Sequence, residues 1–232
     1  MINILLVIIY LAFISLGLPD SLLGSAWPVM HTEFSVPVSY AGAVSMIIAV
    51  GTIISSLFSD HLTQKLGTGR VTAISVGMTA AALFGFSISD AYGMLLLWAI
   101  PYGLGAGSVD AALNNYVALH YASRHMSWLH CFWGVGASVG PVIMGAAITG
   151  GRGWNGGYRI ISILQIILTA LLVFSLPLWK RQGEMSKKEN GTPQSLRQII
   201  GIPGAKSVMV CFFCYCALEQ TTGLWASTFL VL

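Results

Sequence analysis

The chain is short of charge. Only 8% of its 232 residues are Asp, Glu, Lys or Arg, against about 25% in soluble domains. With 56% hydrophobic residues beside that, no soluble interior could hide the apolar surface. The class that remains is an all-α polytopic membrane protein, with the lipid bilayer as its surroundings. No basic residue precedes Lys65, so the first apolar run lacks the positive n-region of a cleaved signal peptide, and it is too long for one. It reads as a mature span. There is no basic patch interleaved with aromatics, which removes nucleic acid as a partner. There is no Gly-x-x-x-x-Gly-Lys loop, which argues against a nucleotide-driven pump built on this polypeptide. Cysteine is scarce: Cys131, Cys211, Cys214 and Cys216 all lie in apolar runs, whereas disulfide frameworks belong to small secreted chains. Cys211-x-x-Cys214-x-Cys216 has Val, Phe and Tyr for neighbours and no His nearby, so it reads as helix packing. No metal site and no cofactor are expected. No nucleophile–base pair stands out either, so an enzyme is not expected.

What the chain does have is seven apolar runs. The first covers about 4–30 and is interrupted by Gly17-Leu18-Pro19-Asp20, where proline removes a backbone donor and opens the helix ladder. The second covers about 40–59 and is followed by a basic connector, Asp60 to Arg70, holding two glycines. The third covers about 71–88, and Ser89-Asp90-Ala91 turns directly into the fourth, about 92–121. The fifth covers about 127–149, and 150–157, rich in glycine, reads as a flexible outer turn. The sixth covers about 158–179, 180–204 is the one long polar segment, and the seventh begins near Ala205.

Lys and Arg set the orientation, because cytoplasmic loops hold the excess. With the N-terminus inside, the inner loops carry Lys65, Arg70, Arg124, Lys180, Arg181, Lys187, Lys188, Arg197 and Lys206, and the outer loops only Arg152 and Arg159. The Asn190-Gly191-Thr192 sequon then faces the cytoplasm, where glycosylation is not expected. Most acidic residues lie in or beside connectors, but Asp20, Asp110 and Glu219 lie within spans. An ionised Asp at the bilayer centre costs roughly 2.5–3.5 kcal/mol on insertion scales, and such residues mark solute or proton pathways. Asp110 belongs to Gly105-Ala106-Gly107-Ser108-Val109-Asp110, followed by Asn114 and Asn115, in the middle of the fourth span. Gly17-x-x-Asp20 in the first span matches Gly107-x-x-Asp110 in the fourth, at mirrored depth. Three spans repeated with inverted topology would place a solute and coupling site at the repeat interface.

Several side chains suit such a site. Burial disfavours the charged form of a carboxyl, which fits Asp110 and Asp20 for proton coupling. Asp20, following Pro19, is also placed to cap the second half of a broken helix. Asn114, one turn from Asp110, and Asn115 can both donate and accept, as solute hydroxyls require. Glu219, Gln220 and Trp225 offer a carboxylate, an amide and an aromatic platform in the seventh span. His120 and His130 are able to relay protons, although a packed histidine is the commoner case. Gly136, Gly140 and Gly145 suit close helix approach, with Pro141 adding a bend that could serve as a gate.

Six spans, a long inner loop and a seventh span resemble the first half of a major facilitator superfamily transporter. Asp60, Gly67 and Arg70 fit elements of that superfamily's signature loop, with Ser56 in place of its first glycine. Gly136-x-x-x-Gly140-Pro141-x-x-x-Gly145 is similar to the motif of drug–proton antiporters. Asp110-x-x-Leu113-Asn114-x-Tyr116-Val117, with Met126-x-Trp128-Leu129-His130-x-Phe132, looks most like the fucose-permease-like branch of sugar–proton symporters. The resemblance implies a six-helix bundle over 1–179, a cytoplasmic inter-half loop over 180–204, and a seventh helix over 205–232 that starts an incomplete second bundle. It implies alternating-access transport of a small polar solute, with a sugar as one candidate. The coupling ion would be H⁺ ahead of Na⁺, and the location a plasma membrane of the bacterial inner-membrane type. The missing C-terminal half would be its partner. Asp20 and Asp110 would be the substrate- and proton-linked carboxylates, and Asp60, Gly67, Arg70, Gly136, Gly140 and Pro141 the conformational residues. A drug–proton antiporter is the alternative, and a non-transporting receptor or assembly subunit a more distant one.

Overall fold

The computed structural model describes residues 4–186 and 196–231; Lys187, Lys188 and the Asn190 sequon lie outside them. The described residues form helices α1 (Ile4–Asp20), α2 (Leu22–Glu33), α3 (Ala41–Leu66), α4 (Thr68–Ser87), α5 (Tyr92–His120), α6 (Ser123–Thr149), α7 (Gly153–Ser186), α8 (Leu196–Ile200) and α9 (Ala205–Val231). Among these residues there is no strand, and seven helical stretches are long and apolar enough to cross a membrane. The chain is an all-α, multi-pass integral membrane protein.

The first span is two helices. α1 ends at Asp20 and α2 starts after Ser21, immediately beyond Pro19. Asp20 does not cap α2: Ser21 holds the cap position and makes no side-chain bond to the helix. The connectors are shorter than hydropathy suggests. Asp60 to Leu66 continue α3, and the link to α4 is Gly67 alone, at φ +83° and ψ 147°, a region that is essentially open to glycine only. Likewise the glycine-rich outer turn gives way to helix from Gly153. The Trp154 indole donates to the Glu33 carboxylate at 2.6 Å, and the Asn155 amide donates to the Ser87 carbonyl at 3.3 Å. Those two bonds tie the start of α7 to the ends of α2 and α4. At its other end α7 continues past Trp179, where its membrane-length stretch ends, to Ser186.

Helix pairing follows the repeat. α1 lies against α6, α5 against α3, and α4 against α7. Gly17 on α1 faces the Trp133 carbonyl of α6, and Gly107 on α5 faces the Thr52 carbonyl of α3. A side chain at either glycine would strike backbone. Further along the same interfaces, Gly140 faces the Leu18 carbonyl, while the Ser59 hydroxyl donates to the Ser108 carbonyl at 3.2 Å. Leu18 follows Gly17 as Ser108 follows Gly107, and Gly140 and Ser59 each lie seven residues beyond the carbonyl that faces the glycine, so these contacts share one register in the two interfaces. Gly136 completes the α1–α6 contact against Ile14. Gly145 does not take part, because nothing lies within 4 Å of where its Cβ would stand.

Two apolar layers fill the bundle. One gathers Leu18, Leu22, Trp27, Met30, Phe86 and Tyr102, and the other gathers Ile9, Phe13, Val109, Leu113, Leu129 and Leu172. Their boundary falls between Phe13 and Leu18 on α1 and between Tyr102 and Val109 on α5. Asp20 lies just to one side of it and Asp110 just to the other, which is the mirrored depth an inverted repeat requires. α9 rests on α2 where Gly24 faces the Gly223 carbonyl.

Candidate solute and proton site

Close packing on one helix face sets where each acidic side chain points. The Gly17 and Gly107 faces are occupied by the neighbouring helix, and three residues later each chain presents its carboxylate on an exposed face. Asp20 accepts a hydrogen bond from the Trp133 indole at 2.7 Å. Asp110 accepts one from the Asn114 amide at 2.9 Å, and the same amide reaches the Asp110 carbonyl at 3.1 Å. The spacing of one helical turn predicts that second pair directly; the first joins residues more than a hundred positions apart.

The three intramembrane acids converge. Asp110 and Glu219 both lie within electrostatic range of Asp20, so α1, α5 and α9 contribute to a single region. His130 of α6 lies in range of Asp110, its ring set edge-on to Phe13 at 6.1 Å. Tyr102, buried on α5, lies in range of Asp20. Glu219 is half-buried and accepts from the Tyr215 hydroxyl at 3.2 Å. No Lys or Arg with a described side chain sits mid-span; each stands near a helix end or in a connector. Three acidic side chains with no described Lys or Arg beside them, and His130 in range of Asp110, call for protons or a ligand to offset their charge within the membrane-spanning part of the chain.

Other candidates are placed elsewhere. Asn115, adjacent to Asn114 but a hundred degrees around the helix, lines a cavity of about 240 Å³ between α3 and α5 with Ser56, Ser59, Asp60 and Thr63. Asp60 accepts from Gln64 at 2.8 Å, and Arg70 is exposed in the first turn of α4. Gln220 is exposed, and Trp225 packs against the Leu22–Trp27 layer. His120 stacks on Tyr116 with ring centroids 4.1 Å apart, a packing role. Pro141 lies within α6, which stays one continuous helix. The four cysteines are free thiols.

Polar residues that sequence did not single out include Trp133, Tyr102 and Tyr215 beside the acids, and Gln165 on α7 against α1. Trp133 gave no signal, because one indole in an aromatic stretch does not reveal which way it faces. Gln165 did: it is the lone amide in Ile163-Leu164-Gln165-Ile166-Ile167. It is 2% exposed, donates to the Ser15 carbonyl of α1, and its own side-chain oxygen has no partner.

Comparison with known proteins adds two findings. A family model described as Major Facilitator Superfamily matches residues 9–232. Among curated proteins, the chain is similar to synaptic vesicle glycoprotein 2C of Rattus norvegicus, 26% identical over 149 residues. It is similar to synaptic vesicle glycoprotein 2B of Homo sapiens, 26% identical over 137 residues. A third relative is synaptic vesicle glycoprotein 2A of Bos taurus, 25% identical over 149 residues. These alignments cover 57–62% of this chain and 20% of each relative. The chain thus spans about a fifth of the length of the curated relatives it matches.

Proposed function

Because the chain belongs to the major facilitator superfamily, we propose that it is the N-terminal bundle of a secondary active transporter that moves a small polar solute by alternating access with proton symport. The observation that carries this reading is the convergence of Asp20, Asp110 and Glu219 with no Lys or Arg among them in the described residues. A proton on one carboxylate and solute hydroxyls on the others would offset the charge, and their exchange would couple the two fluxes. Asp20 and Asp110 carry the proton, Asn114 and Glu219 contact solute, and the tight α1–α6 and α3–α5 interfaces move as rigid pairs. A second bundle closes the cavity from the opposite side. The Lys and Arg bias puts the N-terminus in the cytoplasm, in a plasma membrane of the bacterial inner-membrane type.

A drug–proton antiporter is the second reading, and the abutment of Gly136 and Gly140 on α1 favours it through the α6 motif. The two differ in the sign of proton movement. The full-length protein in proteoliposomes is offered L-fucose, D-galactose and ethidium in turn while external pH is recorded. Alkalinisation outside on adding a sugar supports symport. A proton flux of opposite sense with ethidium alone supports the antiporter. No proton movement with any of the three removes the proton-coupled reading.

A further inference from the structure

We infer that Trp133 is a positioning residue for the Asp20 carboxylate, tying the occupancy of that carboxylate to the α1–α6 interface; this rests on the proton-linked reading of Asp20. Two contacts from one residue carry the inference. The Trp133 carbonyl lies against Gly17, where a Cβ would collide with it, so the α6 backbone and the last turn of α1 are in register there. The Trp133 indole then reaches the Asp20 carboxylate three residues on, at 2.7 Å. Asp20 is the last residue of α1, and α2 restarts beyond Ser21 with no side-chain cap. The carboxylate therefore sits at the junction of α1 and α2, where the indole N–H of α6 fixes its direction.

The chemistry of the pair is one-sided. An indole N–H donates and cannot accept, so Trp133 satisfies an Asp20 oxygen while leaving the rest of the carboxyl free for a proton or solute. The bond is stronger to the ionised form than to the neutral one. Taking up a proton or a cationic group at Asp20 therefore weakens the tie between the α1–α2 junction and α6. The other groups facing Asp20 are Asp110, Glu219 and the Tyr102 phenol. None of them is a cation, and among the described hydrogen bonds the Trp133 indole is the donor to the Asp20 carboxylate. Trp133 itself is half-buried against the Ile9–Phe13 layer, which fixes the ring and with it the direction of the N–H.

The test is infrared difference spectroscopy of the full-length protein in lipid, recorded between acid and alkaline pH without added solute. Asp20→Asn identifies the carboxyl band that belongs to Asp20, and Asp110→Asn serves as the control band. With Trp133→Phe, which keeps a ring and removes the donor, the Asp20 band is expected to move to higher frequency while the Asp110 band stays. An Asp20 band unchanged in Trp133→Phe overturns the role given to Trp133 and leaves the proton site standing. A titrating spectrum in which Asp20→Asn removes no band overturns the inference together with the proton-linked reading. Should Trp133→Phe not fold, benzothienylalanine at position 133 replaces only the N–H with sulfur, and the same band shift decides.

Discussion

Two glycines of one α6 motif are expected to respond to alanine with opposite signs. At Gly136 an added Cβ would stand 2.9 Å from the Leu18 nitrogen and closer still to the Ile14 carbonyl. Both are backbone atoms of α1, so no side chain can swing aside. Restoring ordinary contact with the Ile14 carbonyl requires α1 to retreat by more than about one ångström, and a gap of about 0.5–1 Å already forfeits roughly a quarter to a half of each neighbouring contact. Overpacking of this kind costs about 1–3 kcal/mol. At Gly145 the Cβ would meet nothing within 4 Å, and only the helix-propensity gain of up to about 1 kcal/mol remains. Both variants share that gain, so the difference between them isolates the clash. The assay is reversible unfolding in mixed micelles, titrated with a denaturing detergent and read by tryptophan fluorescence. Gly136→Ala is expected to lie about 1–3 kcal/mol below Gly145→Ala, with Gly145→Ala at or slightly above the parent. Equal stabilities for the two variants would refute the assignment of Gly136 to the α1–α6 contact.

Trp154→Phe keeps the aromatic packing against Phe34 and Tyr158 and removes the donor to Glu33. Hydrogen bonds to charged groups contribute about 1.5–3 kcal/mol, and because Glu33 is exposed the loss belongs at the lower end. A thermal midpoint unchanged from the parent would contradict the clamp. Gly67→Ala is expected to cost about 1–3 kcal/mol from backbone strain alone, since nothing crowds that position. Gly67→Asn brings no relief, because φ +83° with ψ 147° is not the left-handed helical region that asparagine tolerates. Chemical unfolding of the two variants side by side measures this, and an asparagine variant as stable as the parent would be incompatible with the Gly67 geometry.

Much of this architecture was legible before any coordinates. Hydropathy marked seven spans, Pro19 marked the break in the first, and Gly17-x-x-Asp20 with Gly107-x-x-Asp110 marked the repeat whose interfaces share one register at Leu18 and Ser108. Helix ends were harder. Asp60 to Leu66 and Gly153 to Gly157 look like connector because they are polar or glycine-rich, yet backbone hydrogen bonds carry a helix beyond its apolar part until a residue such as Gly67 ends it. Gly145 was read as an interface glycine from its spacing, but spacing does not give the angle at which a neighbour arrives. Asn114 and Asp110 were paired by one turn of helix. Trp133 and Asp20 could be paired only once α6 was known to lie on α1. Local rules reach one turn along a helix, and contacts across helices wait on rotational phase.

The proton-coupling role proposed for Asp110 is tested most directly by comparing net accumulation with exchange in Asp110→Asn proteoliposomes, using whichever of L-fucose or D-galactose the parent transports. Asparagine keeps the shape and a partner for Asn114 but cannot load a proton. The expected result is loss of proton-driven accumulation with counterflow exchange retained, because exchange needs no proton release. An Asn variant that still concentrates the sugar against its gradient as the parent does would show that the proton travels elsewhere.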